Sequence, residues 1–203
     1  MPCRHKFITD LHLEQLDFEP ATLIVGTFNP DWDILSNYAQ WFYGRTRNNY
    51  FWDVLPRLYG EQPLRQASPS EWKAFCRRHR IALTDLIASI DDADSNNADH
   101  IESLKNYRDD LIARQFDEFS FVDILDILVK HNSIEQVYLT RSVNDAFWRQ
   151  RWDAILTYCQ THEITCKTLL TPSGGARFRM PKGVNMSLGD FIFEQWQNNW
   201  HFH

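Results

Sequence analysis

Apolar residues recur along the chain with two alternating periods. Short apolar runs typical of buried strands occur at residues 21–27, 81–87, 134–140 and 165–170. Between them the apolar spacing is helical, which predicts helices at residues 49–59, 70–78, 121–131 and 143–162, and a last helix that begins at Ser187. Strands that alternate with helices predict an α/β fold, a three-layer α/β/α sandwich around a mainly parallel four-stranded sheet.

Length and composition fit one globular domain over residues 1–203. The chain is 43% hydrophobic and 24% charged, and a typical domain has roughly 150 residues. The four cysteines, Cys3, Cys76, Cys159 and Cys166, lack the close spacing of metal or iron–sulfur ligands. We therefore expect reduced thiols, no metal and no cofactor.

Neither a signal-peptide pattern nor an apolar run of about 18 residues occurs in the sequence. These absences predict a protein without a membrane partner, located in the cytoplasm. We expect it to be a monomer.

The net charge is −6, which by itself disfavours a nucleic-acid partner, because binding to phosphates usually requires a basic surface. The charge is unevenly distributed, however. Residues 89–126 hold 11 acidic and three basic side chains, so this acidic segment carries −8 and the rest of the chain +2. The net charge therefore does not exclude a nucleic-acid partner.

Ligands of parallel sheets bind beyond the carboxyl ends of the strands, which directs attention to the loops after residues 27, 87, 140 and 170. The first loop places Asn29 before a dense aromatic cluster, and residues 34–52 include Arg45 and Arg47 but no acid. Aromatic rings beside arginines suit the stacking of bases along a phosphate backbone. On composition alone, rings in the core and a simple turn at Asn29-Pro30 are the preferred interpretation.

The fourth loop, residues 171–183, carries three positive charges and no negative one. Its small residues, among them Gly174 and Gly175, let backbone amides approach a ligand closely. A surface loop with solvated cations explains the same composition.

Both loops resemble motifs of one family. Gly26-x-x-Asn29-Pro30 resembles the first motif of the uracil-DNA glycosylase superfamily, and residues 171–177, Thr-Pro-Ser-Gly-Gly-Ala-Arg, resemble the second motif of its mismatch-specific uracil/thymine branch. Residues 42–44 and 49–52 are similar to motifs of that branch and of the hypoxanthine-DNA glycosylases. Residues 81–87 are similar to the second strand of the branch. The resemblance runs from about Leu23 to Met180.

Several positions depart from the family pattern. Thr27 and Phe28 separate Gly26 from Asn29 where the family usually has one residue, and Asp31 replaces the usual glycine. Gly175 stands where some relatives hold an apolar wedge. Residues 139–142 read Leu-Thr-Arg-Ser where relatives often have Asn-Gly. These differences leave the excised base undetermined.

The resemblance implies a monofunctional DNA glycosylase of base-excision repair. Such an enzyme flips a uracil, a hypoxanthine or a mismatched thymine out of the duplex and hydrolyses its N-glycosidic bond. Asn29 would orient the attacking water. Asn49 is the competing catalytic candidate, because it matches the asparagine of the hypoxanthine branch, and it is equally suited to capping a helix.

The resemblance also implies a base pocket and a DNA-binding surface. Phe42 or Phe28 would stack on the flipped base and Tyr43 would close the pocket. Independently of the resemblance, the carboxylate of Asp85 at a strand end would either activate water, or cap a turn or hydrogen-bond the pocket backbone. Arg177 would enter the gap left by the base. The expected DNA-binding residues are Arg45, Arg47, Thr171, Ser173, Gly174, Gly175, Arg177 and Arg179.

Two other functions fit the chain less fully. One is a nucleic-acid or nucleotide-binding module on the same fold, with catalysis weakened or lost through the extra residue in the first motif. The other is an enzyme for a small substrate, for which the sequence lacks a nucleophile elbow and a phosphate-binding loop. If DNA is the partner, we expect the acidic segment to face away from Asn29 and Arg177.

Overall fold

The computed structural model describes residues 1–44, 48–105, 109–183 and 185–202. Within these ranges the strands are β1 (Cys3–Arg4), β2 (Thr22–Gly26), β3 (Ile81–Asp85), β4 (Ile87–Ile90), β5 (Phe119–Phe121), β6 (Gln136–Leu139) and β7 (Thr165–Thr168). The helices are α1 (Phe51–Leu58), α2 (Pro69–Arg78), α3 (Ala98–Lys105), α4 (Asp109–Gln115), α5 (Ile124–Lys130), α6 (Ala146–Thr161) and α7 (Leu188–Gln197). Short 3-10 turns cover Ile8–Asp10, Asp33–Leu35 and Gly174–Arg179.

The main sheet consists of parallel strands in the order β3-β2-β6-β7. From β2 the chain crosses to β3 on one side, and from β6 it crosses to β7 on the other. Right-handed crossovers place α1 and α2 on one face of the sheet and α5 and α6 on the other. Helix α7 packs on α1, and α5 packs on α6. The predicted α/β fold with a parallel four-stranded sheet between helices is confirmed.

A second, antiparallel sheet, in the order β1-β4-β5, was not predicted. Residues 81–87 do not form one strand, because the chain leaves the main sheet at Leu86 and continues as β4. There His5 donates its backbone N–H to the Ala88 carbonyl over 2.8 Å. The prediction that helix 121–131 begins at Phe121 is also wrong at its start, since that residue ends β5 and the helix begins at Ile124.

Aromatic rings from the first loop and from the first turn of α1 fill the core. Trp41, Phe42, Phe51 and Trp52 are each at most 8% exposed. Trp52 stacks on Trp72 of α2, with 5.3 Å between the ring centroids. These four rings are therefore core residues, and their burial fixes α1 and the preceding loop against the sheet.

Candidate active site

The sheet changes its direction of winding between β2 and β6, and ligands of such sheets bind at the carboxyl ends of the strands at this point. Gly26 ends β2 and lies opposite Asp85, the last residue of β3. Thr140 follows β6 and donates its backbone N–H to the Val25 carbonyl over 3.1 Å. The crevice above these strand ends, with the loops that follow them, is the candidate site.

Tyr43 reaches the crevice from the first loop. Its hydroxyl lies 2.9 Å from Thr140 Oγ1, and its ring stacks in parallel on Phe51 at 3.8 Å. Burial raises the pKa of Tyr43 well above its usual range, and the charge of Asp85 adds to the shift. The phenol therefore stays protonated at neutral pH and can donate a hydrogen bond.

Asp85 is held by a residue that the sequence did not indicate. His5 Nε2 lies 2.7 Å from Asp85 Oδ2, and both residues are buried. The His5 ring packs edge-on or tilted against Phe7, Phe28 and Phe42, with centroids 5.6–5.9 Å away. The N-terminal segment therefore forms part of the site.

Asn29 lies in the crevice wall and is 5% exposed. Its backbone carbonyl accepts the Lys6 N–H over 2.7 Å. Its side-chain oxygen accepts a hydrogen bond of 2.6 Å from Asn37 Nδ2. Since the next residue, Pro30, pairs with His5, Asn29 and Asp85 lie on loops that are joined through His5.

Asn49 lies two residues before the first residue of α1. Its side-chain oxygen accepts the Phe51 N–H over 2.9 Å, as expected of a residue that satisfies a free helix N–H. Asn49 also forms a backbone bridge with Ser173. The structure thus joins the N-terminus of α1 to the fourth loop, and Asn29 and Asn49 have separate neighbours.

The fourth loop has a fixed base and an exposed tip. Ser173 Oγ lies 3.0 Å from Thr171 Oγ1 and 3.3 Å from the Gly175 N–H, and Ala176 is fully buried. The tip residues Arg177, Phe178 and Arg179 are exposed, and Phe178 is 94% exposed. An apolar ring between two cations is thereby presented to solvent by a short 3-10 turn.

The aromatic candidates for the base pocket are less accessible than the tip of the fourth loop. Phe42 is 1% exposed and Phe28 7% exposed. In this structure both rings pack on His5, and stacking of either ring on a base stays a prediction. Arg45 and Arg47, expected at the DNA-binding surface, lie outside the described residues.

One residue of the acidic segment lies at the strand ends, contrary to the expectation that the segment faces away from them. Asp109, the first residue of α4, accepts a hydrogen bond of 2.9 Å from the Thr27 hydroxyl directly after β2. It also forms an ion pair of 3.1 Å with Arg141, directly after β6. Burial lowers the pKa of Arg141, and the charge of Asp109 opposes this shift. The expectation is therefore wrong for Asp109, whose charge is offset by Arg141.

Three partners in the site were missed from the sequence: His5, Asn37 and Arg141. His5 and Arg141 are far in the chain from the groups that they contact, whereas Asn37 is eight positions from Asn29. Neither His5 nor Asn37 belongs to a motif. The sequence shows a histidine at position 5, but its spacing gives no indication that Asp85 is its partner.

Within the described ranges, no three His, Cys, Asp or Glu side chains are arranged to hold a metal ion. In the same part of the chain, no helix has the length and apolar character required to span a membrane.

No protein-family model and no curated protein matches the sequence. A search of solved structures matched the solution NMR structure of a protein from Methanosarcina acetivorans that is named "putative uracil DNA glycosylase". The match has a TM-score of 0.55 and 16% sequence identity, and it covers 92% of this chain and 94% of that chain. The chain therefore has a uracil-DNA glycosylase-like fold over nearly its whole length.

Proposed function

We propose that this protein is a monofunctional DNA glycosylase that excises uracil, hypoxanthine or mismatched thymine. The observation that carries the proposal is the position of Asn29, Asp85 and Tyr43 at the strand ends of a glycosylase-like fold, beside an exposed basic loop. The glycosidic bond is inaccessible inside stacked DNA, so the nucleotide must first be flipped out. Acting as a monomer in the cytoplasm, the enzyme would begin base-excision repair.

Hydrolysis requires a positioned water and stabilisation of the leaving base. The Asn29 amide does not titrate, so its contribution is to orient the water at the anomeric carbon. Amide and hydroxyl donors directed at the oxygen of the leaving base stabilise its negative charge. Tyr43, with its protonated phenol, is such a donor and closes the pocket around the base.

DNA binding is assigned to the fourth loop together with Arg45 and Arg47. The Ser173 hydroxyl and the amides of Gly174 and Gly175 would hold a phosphate next to the flipped nucleotide, with Thr171 supporting Ser173. Arg177, on the exposed tip, would fill the space left by the base, at an unstacking cost of about a few kcal/mol. Arg179 would contact the backbone.

Labelled duplexes that contain uracil, hypoxanthine or a G·T mismatch test the proposal, with abasic sites as the readout. We expect excision of at least one of these bases. A binding module is the second candidate, because Asn37 already engages the Asn29 side-chain oxygen. Binding of DNA without cleavage of any duplex supports that second candidate and contradicts the first.

The two asparagines are distinguished by single substitutions. Asn29→Ala is expected to lower the single-turnover cleavage rate by roughly 10²-fold or more, since it removes the group that positions the water. Asn49→Ala is expected to lower the stability of α1 by about 1 kcal/mol while cleavage is largely kept. Cleavage that is lost in Asn49→Ala and kept in Asn29→Ala reverses the assignment.

Arg177 is tested by comparing duplex with single-stranded substrate. In Arg177→Ala we expect slower cleavage of the duplex and nearly unchanged cleavage of the single strand, because a single strand has no partner base to keep apart. Lys182→Ala, in the same loop, controls for the loss of one positive charge. Wild-type cleavage rates of both substrates in Arg177→Ala would exclude insertion of Arg177 into the gap left by the base.

A further inference from the structure

His5 and Asp85 form a hydrogen-bonded pair, and the contacts of the two His5 ring nitrogens show which of them donates. The Phe7 N–H donates to His5 Nδ1 over 3.0 Å, so Nδ1 carries no proton. The proton therefore lies on Nε2, which donates to Asp85 Oδ2 over 2.7 Å. This hydrogen bond fixes one carboxylate oxygen of Asp85 and leaves the second oxygen without a contact to His5.

Burial, ring packing and backbone hydrogen bonds hold the His5–Asp85 pair in one arrangement. The His5 side chain is fully buried and that of Asp85 is 8% exposed. Three phenylalanine rings enclose the imidazole, and backbone hydrogen bonds tie residues 5 and 6 to Ala88 and Asn29. A side chain held in this way positions its partner at little entropic cost during reaction.

The second oxygen, Asp85 Oδ1, lies beside Gly26, the last residue of β2. A Cβ placed on Gly26 would be 2.1 Å from this oxygen and 2.6 Å from the Tyr43 hydroxyl. Within the described part of the chain, the hydrogen bond from His5 goes to Oδ2, and Oδ1 accepts no hydrogen bond. The oxygen is therefore placed at the strand ends where a substrate would bind.

A carboxylate can accept a proton, which an amide cannot. The amide oxygens of both asparagine candidates are also engaged, Asn29 with Asn37 and Asn49 with Phe51. Asp85 ends β3 with a carboxylate whose Oδ1 accepts no such bond within the described residues.

We propose that Asp85 takes the proton from the attacking water and that His5 is a positioning residue which holds Asp85 for this step. The inference rests on the proposed glycosylase function. The bond between C1′ and the base nitrogen breaks, and its electron pair stays on the base. The water oxygen bonds to C1′, its proton moves to Asp85 Oδ1, and that proton then passes to the base anion. The water supplies both the hydroxyl of the sugar and the hydrogen of the free base.

The role of Asp85 is tested with the base that the wild type excises, in single-turnover cleavage by saturating enzyme. Asp85→Ala is expected to lower the rate by about 10²–10⁴-fold while duplex affinity changes little. Added formate is expected to restore part of the rate, whereas chloride at equal ionic strength does not. Asp33→Asn, an exposed carboxylate in the first loop, is the control for the loss of charge.

The role of His5 is tested with two variants. His5→Phe keeps an aromatic ring without a donor, and His5→Gln keeps an N–H donor. The cleavage rate is expected to fall more in His5→Phe than in His5→Gln, with duplex affinity unchanged. Adding His5→Phe to Asp85→Ala is expected to have no further effect on the rate, because His5 acts through Asp85.

The outcomes separate this inference from the proposed function. If the wild type cleaves no duplex, both are wrong. If the wild type cleaves, and Asp85→Ala cleaves at the wild-type rate or is not rescued by formate, the role of Asp85 alone is wrong. If the effects of His5→Phe and Asp85→Ala add, His5 does not act through Asp85. Thermal unfolding identifies any variant that is not folded, and Asp85→Asn then replaces Asp85→Ala.

Discussion

Gly26 is needed because three chain segments meet at its Cα. The Asp85 carboxylate and the Tyr43 hydroxyl both approach the position that a side chain would occupy. The backbone conformation does not demand glycine here, but the space does. At the residue scale, the small size of this position is therefore what allows the polar groups of the crevice to converge.

Gly26→Ala is accordingly expected to destabilise the fold by about 1–3 kcal/mol, because overpacking forces neighbours to shift. It should also abolish cleavage, since Asp85 and Tyr43 must move apart. Urea unfolding and the cleavage assay measure the two effects. Gly174→Ala is the control for stability, because nothing lies within 4 Å of an added Cβ at that position. Equal stability of Gly26→Ala and the wild type would contradict the geometry.

At the scale of elements, Glu61 joins the C-terminal ends of α1 and α2. It accepts hydrogen bonds from Arg78 Nη2 and Nε over 2.6 and 3.1 Å, and its other contact is with His79 at 2.6 Å. The bonds from Arg78 hold the pKa of Glu61 below its usual range, burial opposes this shift, and His79 adds to the lowering. A carboxyl with a lowered pKa stabilises the fold above its unfolded-state pKa, and this stabilisation is lost as the pH falls.

Glu61→Gln should therefore be less stable than the wild type at neutral pH, by less than about 1 kcal/mol because Arg78 is half-exposed. The difference should shrink as the pH is lowered and the wild-type carboxylate is protonated. Urea unfolding over a series of pH values measures it. Glu118→Gln, an exposed position, makes the same change of charge and should show no such trend. A difference that is independent of pH would exclude this ion pair as its cause.

The second element-scale feature is the join between α1 and the fourth loop. The Tyr50 N–H donates to the Pro172 carbonyl over 2.6 Å, and the Gly174 N–H donates to the Asn48 carbonyl over 3.0 Å. These bonds use free N–H groups at a helix N-terminus and in a loop. They place the exposed tip at Arg177 relative to the core aromatic rings, so two motifs far apart in the chain act as one unit.

At the scale of the whole molecule, the distribution of charge bears on the proposed binding of DNA. The first and fourth loops carry five basic residues and no acid from residue 34 to 52 and from 171 to 183. Asp109 brings the acidic segment to the same edge of the sheet, between Thr27 and Arg141. The exposed cations of the fourth loop and the offset charge of Asp109 support the expectation of weak and salt-dependent non-specific binding.

Asp109→Asn should tighten non-specific DNA binding by roughly a few-fold at low salt and make its salt dependence steeper, because Arg141 then carries a charge without its carboxylate partner. Fluorescence anisotropy over a series of salt concentrations measures this change. Asp126→Asn is the matched control, since Asp126 belongs to the same acidic segment but pairs with Lys130 at the end of α5. Equal tightening in both variants would show that net charge, and not the position of Asp109, is responsible.

The sequence by itself determined the features that depend on neighbouring residues. Alternating apolar periods predicted the parallel sheet and its helices, since burial of one face imposes a local period. Ser187 is the N-cap of α7, in line with the predicted start of this helix, because its hydroxyl accepts the Asp190 N–H. The sequence also placed Asn29 and Asp85 near the ends of predicted strands, because the position of a strand fixes where its following loop begins.

Only the tertiary structure decided which distant groups meet. His5 and Asp85 are 80 positions apart, and Thr27 and Asp109 are 82 positions apart. Such contacts depend on how the sheets and helices pack, and no local spacing encodes them. The same packing buried the aromatic rings of the first loop, as their composition alone favoured, although rings beside arginines also suit stacking on bases. The chemistry of the crevice therefore follows from packing, whereas the fold follows from the local pattern.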